Sequence, residues 1–482
     1  MVPPMTTPAF RFIDLFAGVG GFHAALKAYG GKCVYAVEID KAAAAVYERN
    51  WGHAPNGADQ RGPNGEPQLH GDITKDADLD KQLMKVPAHD VLAAGFPCQP
   101  FSKSGAQRGM DETRGTLFFN IASIIKEHHP RVVLLENVRN LAGPRHLHEW
   151  QVVIETLKDE GYRVSETPAI FSPHLLPPER GGRPQVRERV FITATHNPKG
   201  VGDGLPVLPV ALPSDKIDGW EPKQEWHLED LLDDTHNIPG CNLSDAERTW
   251  IDAWDEWVQK WFEVTEGRRP PGFPIWADSW TDFAKVVQHF GFVPEYRDLM
   301  DDDPELPQWK AGHLAKNYDL YAKHHEWIDV WAKKWGVYTD FPPSRRKLEW
   351  QAQDTPRLWD TVMHFRPSGI RAKRPTYLPA LVAITQTSII GPRERRLSPK
   401  ETARLQGLPD WFDFGDQRPA ASYKQMGNGV NVGAVWHILR EHVLRDEDVL
   451  KGTAAGRRIL DAVQSAPLSP DGILANMAPT KP

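Results

Sequence analysis

Residues 10–40 read FRFIDLFAGVGGFHAALKAYGGKCVYAVEID. An apolar run of strand length, Phe10–Phe16, passes through a glycine-rich turn into a helical stretch, Ala24–Tyr29. A second apolar run, Cys33–Val37, comes next and is closed by an acid, Glu38. Strands separated by a helical length suggest parallel pairing, because parallel strands need such a crossover. The same alternation continues outward. Val91–Gly95, Val132–Glu136 and Val190–Thr195 read as buried strands, and Ala42–Asn50, Leu117–Glu127 and Leu147–Glu160 as helices. The expected class is α/β, with a mainly parallel sheet covered on both faces. Two stretches interrupt it, Gly52–Gln68 and the proline-rich Ser172–Pro184.

A chain of 482 residues, 40 % of them hydrophobic, can bury a large core and suggests two or three domains. The start, MVPPMTTPAFRF, has no basic segment followed by an apolar run and does not read as a signal peptide. The longest wholly apolar stretches, such as Val132–Leu135, are far too short to cross a bilayer, so no membrane role is expected. Three cysteines, Cys33, Cys98 and Cys241, cannot build a disulfide framework and lack the paired spacing of a zinc site. No metal is expected, and a reducing cytoplasm fits, where a free thiolate can act as a nucleophile.

The net charge of −7 is unevenly spread. Residues 341–396 carry 11 Lys/Arg against four acids, whereas residues 218–340 carry 26 acids against 12 Lys/Arg. The basic block is a candidate electrostatic footprint for nucleic acid, or merely a solvated surface. The acidic block also holds 12 of the 18 tryptophans; Trp250, Trp254, Trp257 and Trp261 recur at helical spacing, as do Trp327, Trp331 and Trp335. These stripes read as core between helices, in an inserted unit standing apart from the basic block and from any phosphates. Pro198–Asp218 reads as a linker, 397–445 as α/β again, and Glu447–Pro482 as a disordered tail. The expected domains are 8–200, completed by about 415–445, and 201–414 with the acidic helices at 218–340.

Four constellations carry chemistry. In Asp14–Gly21, Gly18, Gly20 and Gly21 allow a tight turn and close ligand approach beside a helix start; with Glu38 placed for ribose hydroxyls and Asp72–Ile73 beside an adenine, an adenosyl ligand is indicated. The glycines alone would serve a structural turn equally well. In Gly95–Ser102, Cys98 sits between Pro97 and Pro100 on a loop at a strand's carboxyl end, rigidly presented as a nucleophile, although most lone cysteines are inert. Glu136-Asn137 ends an apolar strand, where desolvation raises a carboxyl pKa, or where either side chain simply caps a turn. In Gln185-Val-Arg-Glu-Arg, alternation places Arg187 and Arg189 on one side, for an anion, for Glu136, or as a surface ion-pair strand.

These blocks, followed by Arg396-Leu-Ser-Pro-Lys-Glu, Arg404-Leu-Gln-Gly-Leu-Pro and Gln425-Met-Gly-Asn-Gly-Val, closely resemble the DNA cytosine-5 methyltransferases from residue 12 to 435. The resemblance implies a Rossmann-like, S-adenosylmethionine-dependent methyltransferase fold with a smaller variable target-recognition domain in roughly 200–390. It implies catalytic roles for Cys98, Glu136, Asn137, Arg187 and Arg189. Cys98 would bond cytosine C6, Glu136 would hydrogen-bond N3 and the exocyclic amine, and Asn137 would hold the loop. Arg187 would contact the flipped nucleotide and restrain Cys98 and Glu136, while Arg189 supports Glu136. The cofactor S-adenosyl-L-methionine would be lined by Phe16, Gly18, Gly20, Gly21, Glu38, Ile39, Asp72, Ile73, Pro97 and Asn428. Duplex DNA would be met by Gln99 and Ser102, and by Arg345, Arg346, Lys347, Arg366, Arg371, Lys373 and Arg374 of the basic block, arginine being the best reader of guanine. A monomer is implied, with a cognate restriction endonuclease acting separately. Where many relatives carry Thr-Leu, this chain has Ala380-Leu381.

Three other readings bear on the same residues. A tRNA cytosine-5 methyltransferase shares the catalytic blocks but needs no large recognition unit. Amino-methylating DNA enzymes require an Asp/Asn-Pro-Pro-aromatic loop where this chain has Pro97-Cys98-Gln99. A non-enzymatic scaffold would carry a broken site, and Cys98, Glu136, Arg187 and Asn428 are all in place.

Overall fold

The computed structural model describes residues 8–52, 71–97, 116–197, 206–210, 219–296, 306–382 and 387–477. The chain divides into two compact units: Met1–Trp226 with Pro379–Thr385 and Pro399–Pro482, and His227–Leu378 with Gln386–Ser398. The second unit is narrower than the expected 201–414; the helix Pro399–Leu405 and the chain beyond it pack with the first.

In the first unit the chain runs β1 (Phe10–Leu15), α1 (Gly21–Ala28), β2 (Gly31–Val37), α2 (Lys41–Trp51), β3 (Val91–Gly95), α3 (Leu117–His128), β4 (Val132–Val138), α4 (Leu147–Asp159), β5 (Tyr162–Val164), β6 (Ala169–Phe171) and β7 (Arg189–His196). The sheet order is β2-β1-β3-β4-β7-β5, with β6 also on β7. β1 is parallel to β2 and β3, and β3 to β4, whereas β7 enters antiparallel to β4. Val132–Leu135 are wholly buried, as a strand covered on both faces requires. Full burial of such side chains contributes roughly 1.5–3 kcal/mol each. Because β2 and β3 flank β1 on opposite sides, the strand order reverses there, and a crevice opens at the carboxyl ends of β1 and β3.

The chain's end completes this unit. Trp436, in the helix Val432–Arg445, stacks on Tyr29, the C-cap of α1, at 3.5 Å, and the Tyr29 hydroxyl donates to the Trp436 carbonyl. The tail from Glu447 corrects the expectation of disorder: it forms the helices Glu447–Lys451, Ala454–Ser465 and Asp471–Asn476. Ile459, Leu460, Val463 and Leu474 are buried, and Thr453 caps its helix through Gly456 N. The stripe is short, and the alanines and polar residues around it dilute the signal that composition carries.

The second unit corrects the picture of an acidic insertion apart from a basic block. Strands Ile275–Trp276, Lys347–Gln351, Gly369–Lys373, Val362–Arg366, Ile389–Ile390 and Arg395–Arg396 lie side by side in that order. They share one core with the helices Asp245–Val264, Ala277–Phe290 and Gln308–Trp335. Trp254, Trp257, Trp280 and Trp331 are core, as the helical spacing indicates. The charges interleave too: Asp255 accepts from Leu358 N and pairs with Arg357 at 3.0 Å, Glu247 pairs with Arg396 at 2.6 Å, and Asp278 with Lys347 at 3.1 Å.

In the first unit His442 is fully buried, with Nε2 at 2.9 Å from the Thr195 hydroxyl and Asp446 nearby. Burial pushes its pKa down to about 3, against the pull of Asp446. The unfolded chain therefore binds a proton below pH about 6.5 that the native state refuses, so stability falls as pH drops. From this group alone, stability should be lower by roughly 2 kcal/mol at pH 5 than at pH 7. His442→Gln should flatten that slope in urea unfolding, whatever its effect at pH 7; an unchanged slope would show that His442 does not contribute.

Candidate active site

The glycine loop leaves β1 through left-handed backbone at Phe16 (φ 57°), Gly18 (φ 55°) and Gly20 (φ 92°). Ala17 N donates to the Val37 carbonyl, tying the loop to the end of β2. There Glu38 accepts from Gly18 N at 2.8 Å through one oxygen and from Asp40 N at 2.7 Å through the other. Burial raises the Glu38 pKa, while the two amides work against it. Ile39 stands 69 % exposed beside it, an open apolar surface on the cavity wall. Asp72 caps the short turn Ile73–Lys75, its Oδ1 accepting from Thr74 N. An acid beside a glycine loop, an open apolar side chain and a second carboxylate suit the ribose and base of an adenosine group.

Gly20 and Gly21 also meet close packing. A β-carbon on Gly20 would overlap the Trp51 indole, whose Nε1 donates to the Val19 carbonyl. One on Gly21 would lie 2.5 Å from the Val430 carbonyl oxygen.

At the crevice's other wall, β3 and β4 pair with Gly95 opposite Glu136. The Glu136 side chain is buried and meets Arg189 Nε at 3.0 Å. Burial raises its pKa; Arg189 and then Arg187 oppose the rise without cancelling it. Asn137 donates from Nδ2 to the Phe96 carbonyl at 2.9 Å and accepts from Val138 N, so it fixes the backbone just ahead of Pro97. Arg187 does not sit on Glu136. Its buried guanidinium donates to the carbonyls of Leu381, Gly427 and Gly429, at 3.0, 2.9 and 2.6 Å, and thereby clasps the loop that presents Asn428.

Phe16, Gly18, Glu38, Ile39, Asp72, Ile73, Pro97, Glu136, Asn137, Arg189 and Asn428 all line one cavity of about 500 Å³. Gly20, Gly21 and Arg187 do not line it. Cys98, Gln99 and Ser102 lie outside the described residues. In the second unit, Arg345 packs on the Phe365 ring at 4.3 Å and donates to the Arg366 carbonyl, and Arg346 donates to the Phe341 carbonyl, so both hold their own fold. Lys347 pairs with Asp278, Arg374 with Asp354, and Arg366 and Arg371 both with Glu349. Lys373 lies on the same strand as Arg371.

With that geometry in place, residues 10–443 match the family model of the C-5 cytosine-specific DNA methylases. The chain belongs to that family. It is an enzyme, a DNA cytosine-5 methyltransferase, and DNA is its substrate. It is 54 % identical to the Type II methyltransferase M.AluI of Cellulosimicrobium cellulans, over 94 % of this chain and 96 % of that one. It is 38 % identical to M.HgiBI of Herpetosiphon aurantiacus over 87 % and 94 %. With M.HhaI of Haemophilus parahaemolyticus the match is 42 % over 39 % of this chain and 49 % of that one. Among the described residues no helix is long and apolar enough to cross a membrane.

Sequence reasoning missed several residues around the methyltransferase cavity. Lys424 pairs with Asp40 at 3.2 Å, and both line it. Asp40 was legible as an N-cap before an alanine run; nothing in the sequence points to Lys424. Asn431 caps the helix Val432–Arg445 and donates to the Leu405 carbonyl.

Asn137→Ala should release the Phe96 carbonyl while leaving the Glu38 side of the cavity intact. Methyl-donor affinity should stay within a few-fold, while turnover falls by roughly tenfold to a hundredfold, as a misplaced loop implies. Equilibrium binding measured beside single-turnover transfer separates the two; equal losses in both would refute the assignment.

Proposed function

We propose that this methyltransferase moves a methyl group from S-adenosyl-L-methionine to C5 of a cytosine turned out of a specific duplex sequence, through a covalent bond from Cys98 to C6. We also propose that it works as a cytoplasmic monomer, protecting host DNA beside a separately acting restriction endonuclease. The observation that carries the chemistry is Glu136, buried beside Arg189, with its neighbour Asn137 holding the carbonyl two residues before Cys98. Neither other cysteine is a rival: burial pushes the Cys33 thiol up, and Cys241 is wholly buried.

C5 of cytosine is a weak nucleophile until C6 carries a substituent. Cys98 thiolate adds to C6, the C5–C6 π electrons move toward N3, and Glu136, whose carboxyl pKa burial raises, donates a hydrogen bond or proton at N3. When bound, S-adenosylmethionine supplies an electrophilic methyl group on a sulfonium. Glu38, Ile39, Asp72 and the Gly18 loop would hold its adenosine end. The new C5–methyl bond takes the electron pair that C6 addition had released. Loss of the C5 proton to solvent then expels Cys98 as thiolate. Turning the base out of the stack costs a few kcal/mol.

The tRNA alternative shares these steps; near-full-length identity to a Type II methyltransferase supports DNA. Transfer to duplex DNA and to tRNA measured side by side tests the choice, and transfer to tRNA alone would reverse it.

Cys98→Ala should abolish transfer while donor binding survives, and 5-fluorocytosine in the target should trap only wild type as a covalent adduct. An adduct formed by Cys98→Ala would assign the nucleophile elsewhere. Glu136→Gln should retain DNA affinity yet slow transfer by roughly a hundredfold. Wild-type transfer should also decline as pH rises through the raised Glu136 pKa, a limb that Glu136→Gln lacks.

A further inference from the structure

Strands Lys347–Gln351 and Gly369–Lys373 run parallel, with Leu348 opposite Ile370, Glu349 opposite Arg371 and Trp350 opposite Ala372. Leu348, Trp350, Ile370 and Ala372 are buried in the unit's core, so alternation turns Glu349, Arg371 and Lys373 to the other face. His364 and Arg366 join them from the neighbouring strand, His364 directly opposite Arg371. This face carries Lys347, Arg366, Arg371 and Lys373 against Glu349, and burial together with the adjacent cations pulls the His364 pKa down to about 4, leaving it neutral.

The cations are not equivalent. Arg371 turns its Nε–Nη2 edge onto Glu349, both nitrogens meeting Oε2, at 2.7 and 2.6 Å. Ser368 donates to Oε1 of the same carboxylate at 3.2 Å, and Arg366 stands at 3.7 Å. A guanidinium held along that edge turns its Nη1–Nη2 fork away from Glu349 in a fixed plane, and no hydrogen bond takes that fork among the described residues. The carboxylate makes Arg371 a poor phosphate ligand, because it offsets the charge and repels a second anion. It does not penalise a neutral base edge with two acceptors, and guanine O6 and N7 form that edge in the major groove. Arg366, 42 % exposed on its side chain, keeps the character of a backbone contact.

We propose that Arg371 reads a guanine of the recognition sequence and that Glu349 is its positioning residue. This rests on the reading of the second unit as the DNA-recognising one. A cross-strand ion pair of purely structural value would leave sequence choice untouched.

Bisulfite sequencing of DNA from an expressing host gives the methylated site. Duplexes of that site, each with one guanine replaced by 7-deazaguanine, are then titrated against wild type, Arg371→Lys, Glu349→Gln and Glu349→Asp. Wild type should lose about fivefold to a hundredfold in affinity at one guanine only. Arg371→Lys should show no further loss at that guanine, Glu349→Gln a partial one, and Glu349→Asp should restore discrimination. The wild-type arm needs no folded variant: insensitivity to every 7-deazaguanine overturns the proposal. So does an Arg371→Lys enzyme that weakens on all sequences alike, with a salt slope shallower by about one, since that marks a phosphate contact. If the triple change Arg366→Gln, Arg371→Gln, Lys373→Gln leaves affinity and site choice unchanged, the reading of the unit itself fails.

Discussion

The parallel register that sets Gly95 opposite Glu136 governs the rest of the catalytic unit. A carboxylate at that point would be costly to bury, since four wholly apolar residues precede it and the sheet is covered on both faces. Arg189 lowers the cost at 3.0 Å without restoring an ordinary carboxylate pKa. The next residue, Asn137, spans to the carbonyl of Phe96 on the adjoining strand. One register therefore sets both the proton donor and the entry to the loop that bears Cys98. Slipping β3 by one residue against β4 would break the two functions together.

Arg187 shows how the chain's end is recruited to the same crevice. Three backbone carbonyls, two of them flanking Asn428, accept from Nη1 and Nη2 of its buried guanidinium. Gln185, two residues earlier, donates to the Leu405 carbonyl and accepts from Leu381 N. The Ala380-Leu381 pair thus contributes backbone groups, which any residue type supplies. Gln406 reaches the Met426 carbonyl at 2.5 Å, and Asn431 the Leu405 carbonyl. Motifs 240 residues apart in sequence become one wall through side chain–to-backbone bonds rather than through ionic contacts.

The sheet was legible because its strands are short, apolar and separated by helical lengths; Val91–Gly95 matches to the residue. Glu38 and Glu136 stood out because each closes an apolar run of strand length. Gly20 and Gly21 show where a linear reading runs out. A glycine demanded by a ligand and one demanded by Trp51 or Val430 look the same in one dimension. Arg187 and Arg189 alternate correctly, but alternation sets only the side from which a long side chain departs; the tip of Arg187 ends on the Asn428 loop. The tail misleads because five buried hydrophobic residues, Leu450, Ile459, Leu460, Val463 and Leu474, hold it, too few to alter composition.

Charge counted along the chain proved the weakest guide, and the second unit shows why. Its acidic and basic stretches are neighbours in one core, so their opposite signs express pairing across the fold. Asp255 takes Arg357 and two backbone amides, Glu247 takes Arg396, and Asp278 takes Lys347. An arginine so paired contributes little to the field that a phosphate feels. What distinguishes a recognition residue is therefore the geometry left over after pairing. Arg345 lies over the Trp250 and Phe365 rings with Nη1 on the Arg366 carbonyl, whereas Arg371 is held to Glu349 by one edge and, among the described residues, no hydrogen bond takes the other. Net charge attracts DNA at long range, but a planar donor pair fixed by its own carboxylate can discriminate among bases.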